Sequence, residues 1–325
     1  SAFVASPPPR RQGSGCPRQA ASAKASFHHY SALCQRSASP AKERQARAFA
    51  ATRATTAAVA AAMSSYETLS LKGKTVLITG ASAGIGEAAA ARFAEAGCRI
   101  ILIARRLQKL EDTKKILEEK FPDCKVHCVK FDVKDLDKIG ELKANLPEAF
   151  QAVDILVNNA GVALGTPPAH LNPIEDVQTM MQTNVSSVMA FVSTFAPDMV
   201  KRDSGHIVNI SSIAGHESYP GGSVYCATKH AIDAYTVAMR HDLVGTNIRV
   251  TAISPGAVRT EFTLVRFGQD AEREDTFYKG FTPLNAMDIA DNIMYTVTRP
   301  SHVQIGDIII YATKQSSAKS IAKNE

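Results

Sequence analysis

The sequence has no tryptophan, and aromatic residues make up only 6% of its 325 positions. It has no apolar run of the roughly 18 to 20 residues that a bilayer-spanning helix needs, so a soluble globular protein without a membrane partner is the expectation. Its six cysteines (Cys16, Cys34, Cys98, Cys124, Cys128 and Cys226) form neither a CxxC pair nor a zinc spacing. No metal site is therefore expected, and the thiols read as free and mostly buried, in keeping with a reducing compartment.

Acid is scarce in one place. Residues 1–62 hold nine Lys/Arg against one acid, Glu43, a local charge of +8 in a chain of +6. The remainder is therefore −2, which gives no sign of a nucleic-acid surface. Residues 1–65 are rich in Ala, Ser, Arg and Pro and lack a periodic apolar face. Such a segment cannot bury enough surface to offset chain entropy, so disorder is expected there. Its composition is that of an organelle transit peptide. A plastid or mitochondrial location follows if residues 1–62 are a transit peptide, and a cytoplasmic one if translation starts at Met63.

Residues 66–325 are expected to form a single domain. From Lys72 onward, short β-branched apolar runs alternate with amphipathic stretches. Strands are expected at 74–79, 99–104, 125–131, 153–158, 206–211, 249–254 and 304–311. Helices are expected near 86–96, 108–120, 135–145, 174–201, 223–244 and 288–298. Runs such as TVLIT and VDILVN suit strands buried on both faces. Strict alternation implies an α/β fold: a Rossmann-type, doubly wound domain with a seven-stranded parallel sheet and helices on both faces. The last residues, about 313–325, read as a polar tail.

The first strand runs into Thr79-Gly80-Ala81-Ser82-Ala83-Gly84-Ile85-Gly86, and a helix follows. Glycines at such a turn let backbone N–H groups approach a pyrophosphate at the helix N-terminus. A tight βα connection would need glycine as well, but the strand-before, helix-after context favours a dinucleotide. The second strand ends Ile103-Ala104-Arg105-Arg106, where an NAD site usually carries a carboxylate for the ribose. Two guanidinium groups would instead fork a 2′-phosphate, so NADP is the expected cofactor. The alternative is that the arginines open the next helix as solvated charges, against its dipole.

Tyr225 and Lys229 are four residues apart and share a helix face. A free phenol has a pKa of about 10, and a neighbouring ammonium lowers it toward working pH. The same spacing alone also describes a surface helix pair. Ser212 ends the strand HIVNISS, where its hydroxyl could orient a carbonyl and stabilise developing oxyanion charge. Asn184 lies within an apolar helix, either as a core hydrogen-bonder or as a link from Lys229 to water. Asn159, Ala160 and Gly161 follow the fourth strand at its carboxyl end, where open α/β sheets bind ligands.

Together, TGASAGIG, Phe131-Asp132-Val133, NNAG, Asn184, Ser212, YCATK and Ser254-Pro255-Gly256 resemble the short-chain dehydrogenase/reductase family over about residues 72–313. By that resemblance Tyr225 is the acid/base, Lys229 lowers its pKa and holds the nicotinamide ribose, Ser212 positions the carbonyl and Asn184 supports a proton relay. Gly80, Ser82, Gly84, Ile85, Gly86, Arg105 and Arg106 would face the cofactor phosphates. Asp132 and Val133 would meet adenine, and Asn159, with Ala160 and Gly161, the ribose. Pro255 and Gly256, with Val258 and Thr260 beyond them, would meet the nicotinamide side.

The stretches ILIARRLQKLE, DILVNNAGVALGTPP, SYPGGSVYCATK and RTEFTLVRFGQD are similar to the NADP-dependent 3-hydroxy acid dehydrogenase branch. That likeness implies small substrates such as serine, allo-threonine and 3-hydroxyisobutyrate, and a homotetramer. A carboxylate substrate needs a cation, and the candidates by position are Arg266, then His216. Arg266 could equally pair with loop acids. Competing readings are a broad carbonyl reductase, a 3-ketoacyl carrier-protein reductase, and a non-catalytic NADP-binding subunit of an assembly.

Overall fold

The computed structural model describes residues 66–324 and, before them, residues 41, 44, 45, 47–49, 51 and 52. The chain divides into two units, Ser1–Ser65 and Tyr66–Glu325. In the first, the described residues are helical and exposed. The other expectations for the leader, Cys16 and Cys34 among them, lie outside the described residues.

The second unit is built on seven parallel strands: β1 (Thr75–Thr79), β2 (Arg99–Ala104), β3 (Lys125–Lys130), β4 (Ile155–Asn158), β5 (Gly205–Ile210), β6 (Ile248–Pro255) and β7 (Asp307–Ile310). Their order in the sheet is β3-β2-β1-β4-β5-β6-β7. All seven expected strands form. The last is shorter than the run 304–311, because β7 is an edge strand paired only with β6, from Asp307 to Ile310.

Side chains alternate across the sheet, so each apolar run serves two cores. Val76, Ile78, Ile100 and Leu102 pack with α1 (Gly84–Glu95), α2 (Leu107–Lys120) and, through Ile289, Ile293 and Val297, the late helix Ala286–Val297. Leu77, Ile101, Ile103 and Leu156 face the other way. They meet α3 (Ile139–Ala144) and, through Phe191, Phe195 and Met239, two longer helices described next. Cys98, Cys124 and Cys226 are buried in this body, Cys128 is half-buried, and all four are free. Among the described residues no helix is long and apolar enough to cross a membrane.

The single helix expected over 174–201 is three pieces. α4 (Ile174–Met181) passes through a π-helical turn, Gln182–Ser186, into α5 (Ser187–Arg202). The extra residue of such a turn re-aims one side chain, and here that turn contains Asn184. α6 (Ser223–Asp242) follows as expected. Beyond β6 the structure adds two helices that the sequence pattern did not reveal, α7 (Glu261–Arg266) and α8 (Ala271–Tyr278). α9 (Ala286–Val297) starts on a capping box between Asn285 and Asp288.

Candidate active site

Strand order reverses between β1 and β4, and a cleft of about 1290 Å³ opens at their carboxyl ends. The glycine loop forms one wall. Gly84 has φ +61, and a Cβ on Gly86 would lie 2.5 Å from Asn159 Nδ2 and 2.6 Å from the Gly80 carbonyl. Only glycine admits that approach. Helix α1 starts at Ala83 with no side-chain cap, so its first N–H groups remain available to an anion at the cleft. Asn159 braces this loop, donating through Nδ2 to the carbonyls of Thr79 (2.9 Å) and Gly80 (3.2 Å). The Thr79 hydroxyl accepts from the backbone of Asn159 and Ala160, each at 3.0 Å.

Ser82, Gly84, Ile85, Arg105, Arg106 and Asp132 all line the cleft, as do Val133, Ala160, Gly161, Pro255, Gly256, Val258 and Thr260. Gly86 lies behind it, as packing for the loop. The two arginines are not equivalent. Arg106 donates to Ser82 Oγ (2.9 and 3.1 Å) and to Glu261 (2.8 Å), and Lys109 donates to the same carboxylate (2.7 Å). Arg106 thus ties the glycine loop to α7. Arg105 is exposed at the rim and makes no ion pair among the described residues. No carboxylate stands at the end of β2, so this wall fits a dinucleotide bearing a 2′-phosphate, with Arg105 as its free cation.

Tyr225 and Lys229 are both buried on α6, beside Ser212 at the end of β5. Ser212 Oγ accepts from the Ala214 N–H (3.1 Å) and donates to the Pro255 carbonyl (3.3 Å), which fixes its rotamer. Burial pushes the Tyr225 phenol above its ordinary value; the Ser212 hydroxyl and the Arg266 charge act in the opposite direction. The sequence assigned that lowering to Lys229. In the structure Lys229 Nζ donates to the Ile210 carbonyl at 2.8 Å and stands 5.8 Å from the Tyr225 ring centre, and the Arg266 guanidinium, 5.3 Å from that ring, joins it as a second cation beside the phenol. Burial pushes the Lys229 ammonium itself down to about 8.

Asn184 is buried and works as a brace. Its Oδ1 accepts from the Val162 N–H (2.8 Å), and its Nδ2 donates to the Val162 carbonyl (2.8 Å) and to Thr228 Oγ1 (3.1 Å). These bonds fix the exit of β4 against α6 and give the π turn its purpose.

The two candidate substrate cations separate. Arg266 lines the cleft, with its guanidinium 5.3 Å from the Tyr225 ring centre and 5.6 Å from that of Tyr219. It donates to the Tyr219 hydroxyl at 3.1 Å, its Nε is buried without a partner, and it makes no ion pair among the described residues. The pairing with loop acids is therefore absent. His216 does not line the cleft: Nε2 is 3.2 Å from Asp307 Oδ2 and 3.0 Å from Ser254 Oγ, held behind the site by a carboxylate. Tyr219, Glu261, Phe262 and Arg273 complete the rim, and sequence reasoning named none of them. Their only sequence signal is proximity to Tyr225 or to the end of β6. The tail also takes part, with Gln315 Oε1 accepting from the Ala257 N–H at 2.9 Å.

Residues 74–269 match the family model described as short chain dehydrogenase. The chain is 42% identical over 256 residues to an NADP-dependent 3-hydroxy acid dehydrogenase of Schizosaccharomyces pombe, covering 78% of this chain and 98% of that protein. It is 41% identical over 244 residues to a serine 3-dehydrogenase of Rhizobium radiobacter, covering 75% and 96% respectively. A solved serine dehydrogenase in a closed form complexed with NADP+ superposes with a TM-score of 0.71 at 38% identity, over 77% of this chain and all of that one. With the glycine loop, the Ser212–Tyr225–Lys229 cluster and the sheet order all in place, the chain belongs to the short-chain dehydrogenase family.

Proposed function

We propose that this protein is an NADP-dependent dehydrogenase acting on the 3-hydroxyl of small 3-hydroxy acids such as L-serine, L-allo-threonine and 3-hydroxyisobutyrate, or reducing the corresponding 3-oxo acids. The observation that carries the substrate class is Arg266, a guanidinium over the catalytic tyrosine that bonds the Tyr219 hydroxyl and makes no ion pair among the described residues. A carboxylate accepted there in a bidentate pair would leave a hydroxyl two carbons away near Tyr225 and Ser212. The similar proteins named above support the same reading.

When bound, NADP supplies the hydride acceptor or donor. The chain supplies the rest. Ser212, with its rotamer fixed by Ala214 and Pro255, holds the reacting oxygen and stabilises charge on it. Tyr225 takes the hydroxyl proton in oxidation and returns it in reduction. Lys229 adds positive charge beneath the phenol, and Asn184 keeps the strand exit and α6 in register.

Nicotinamide absorbance with NADP+ and each of the three hydroxy acids tests this reading. Turnover that vanishes in Tyr225→Phe supports it. An enzyme that binds NADP+ but turns over none of the three would sink it.

A homotetramer belongs to the same reading. Ile174, Met181, Val200 and Val237, on α4, α5 and α6, are exposed apolar side chains suited to a subunit interface, and light scattering of the purified protein would count the subunits. Location follows residues 1–62: plastid or mitochondrion if they act as a transit peptide, cytoplasm if translation starts at Met63. N-terminal sequencing of the native protein decides between them.

A further inference from the structure

The polar tail beyond β7 folds back onto the cleft. Gln315 and Ile321 pair across an antiparallel bridge. The Ala322 N–H donates to the Lys314 carbonyl at 2.8 Å, and the Ser316 N–H to the Ser320 carbonyl at 3.0 Å. A narrow hairpin results, with Ser317, Ala318 and Lys319 at its tip. Ser317 Oγ closes the tip by accepting from the N–H groups of Ser320 (3.0 Å) and Lys319 (3.3 Å). Two anchors hold the hairpin against the site. On one flank the buried Gln315 side chain accepts from the Ala257 N–H and donates to the Ser317 carbonyl at 3.2 Å. A Cβ on Gly256 would lie 2.3 Å from that accepting oxygen. On the other flank, a Glu217 oxygen accepts from the Ala318 N–H at 2.5 Å.

The hairpin carries three lysines that differ in what they hold. Lys314 donates to the Asn324 side chain. Lys323 donates to the carbonyls of Thr276 and Phe277 (3.1 and 2.9 Å), at the end of α8. Lys319 lines the cleft with its Nζ 5.1 Å from the Tyr219 ring centre, and among the described residues that ammonium makes no hydrogen bond and no ion pair. The Arg266 guanidinium stands 5.6 Å from the same ring centre. Two cations thus converge on Tyr219, and like charges so placed repel each other unless an anion joins them. The lining of the cleft supplies no spare anion. Its acids are Asp132, 3.9 Å from Lys134, and Glu261, paired with Arg106 and Lys109. Glu217 is bonded to the backbone of the tail and makes no ion pair among the described residues. Arg273, also on the cleft wall, donates to Thr166 Oγ1 at 2.8 Å and lies over the Phe267 ring. Lys319 is therefore the cation of the tail left for a molecule in the cleft.

We propose that Lys319 is a second specificity-determining cation for the acid group of the substrate, carried to the cleft by the tail hairpin and acting with Arg266 beside Tyr219. The inference rests on the reading of the substrate as a 3-hydroxy acid whose carboxylate meets Arg266. The guanidinium offers a planar fork, whereas the ammonium offers a compact charge on a flexible stem. The contribution of Lys319 therefore follows its charge rather than its shape.

The test is a charge series at this position in the full-length protein: Lys319→Arg, Lys319→Gln and Lys319→Glu, with Arg266→Ala alongside. Each is assayed for NADP+-dependent oxidation of 3-hydroxyisobutyrate, with kcat, the KM of the acid and the KM of NADP+ read separately. Gln and Glu have nearly the same shape and differ in charge. The expected result is a KM for the acid that rises about threefold to fivefold in Lys319→Gln and further in Lys319→Glu, and stays near wild type in Lys319→Arg. The kcat and the KM of NADP+ hold throughout. An acid KM unchanged in Lys319→Gln, or equal in the Gln and Glu variants, would overturn the proposal. So would a KM of NADP+ that follows the same order, which would mark a general field over the cleft. If Arg266→Ala leaves the acid KM unchanged while the Lys319 series follows charge, the reading of Arg266 fails and Lys319 remains. A wild-type protein that does not oxidise the acid would sink the substrate reading, and this inference with it.

Discussion

At the scale of single residues, the site separates chemistry from recognition. Tyr225 is the proposed proton-handling group, and burial holds its phenol above the ordinary value, so it is protonated at neutral pH. Reduction needs that proton and oxidation must remove it. Oxidative kcat/KM should therefore rise toward alkaline pH and the reductive rate should fall there, as paired pH profiles would show. Tyr225→Phe should lower kcat by about two to four orders of magnitude, with NADP+ still bound in a fluorescence titration. Arg266 is the group proposed for recognition. Arg266→Ala removes a charge-assisted contact worth about 1.5 to 3 kcal/mol. It should raise KM for the hydroxy acids roughly tenfold or more while leaving the cofactor KM in place. An unchanged KM would show that the carboxylate binds elsewhere. The sequence showed both residues but not their relation: the phenol and the guanidinium are 41 positions apart, and only the fold sets them 5.3 Å from each other.

At the scale of elements, the short helix α7 joins the two ends of the cleft. Glu261 at its start accepts from Arg106 and Lys109, and Arg266 at its end lies over Tyr225. Arg106 also braces Ser82 in the glycine loop. Arg105→Ala should thus weaken NADP+ alone, whereas Arg106→Ala should weaken both NADP+ and NAD+, since it loosens the loop that both need. Comparing the two dissociation constants for each variant separates these roles. Helix α9 offers a stability counterpart. Arg249 is buried and donates to the carbonyls of Thr296, Val297 and Arg299 at the end of that helix, at 3.1, 2.9 and 3.2 Å. Those carbonyls have no further turn to bond. Arg249→Ala should cost about 2 to 4 kcal/mol, read as a lower denaturation midpoint. The long helices were legible from apolar periodicity. α7 and α8 were not, being six and eight residues long and mostly polar or exposed.

At the scale of the whole molecule, one sheet shields two cores and a buried histidine. His206, on β5, is buried, with Nε2 2.8 Å from Thr251 Oγ1, and burial holds its pKa well below the ordinary value. The unfolded chain binds that proton below about pH 6.5 and the folded one does not. Stability is therefore complete above that pH and falls as pH drops through it. From pH 7 to 5 this residue should make the folded state progressively less stable. Urea midpoints at the two pH values would show it, and His206→Gln should reduce the difference. An equal acid loss in the variant would assign the effect to other groups.

By itself, the sequence determined the sheet, the helices that cover it, the glycine loop and the identities of Ser212, Tyr225 and Lys229. These are local properties: uninterrupted apolar runs make strands buried on both faces, glycine marks a close approach to backbone, and a four-residue spacing sets two side chains on one helix face. Tertiary structure decided which of the two candidate cations lines the cleft. It sent Arg266 onto Tyr225 and tied His216 to Asp307 behind the site. It also broke one expected helix with a π turn so that Asn184 could reach Val162 and Thr228. Those outcomes depend on charges and backbone groups far apart in the chain, whose distances are fixed only when the strands that carry them are paired.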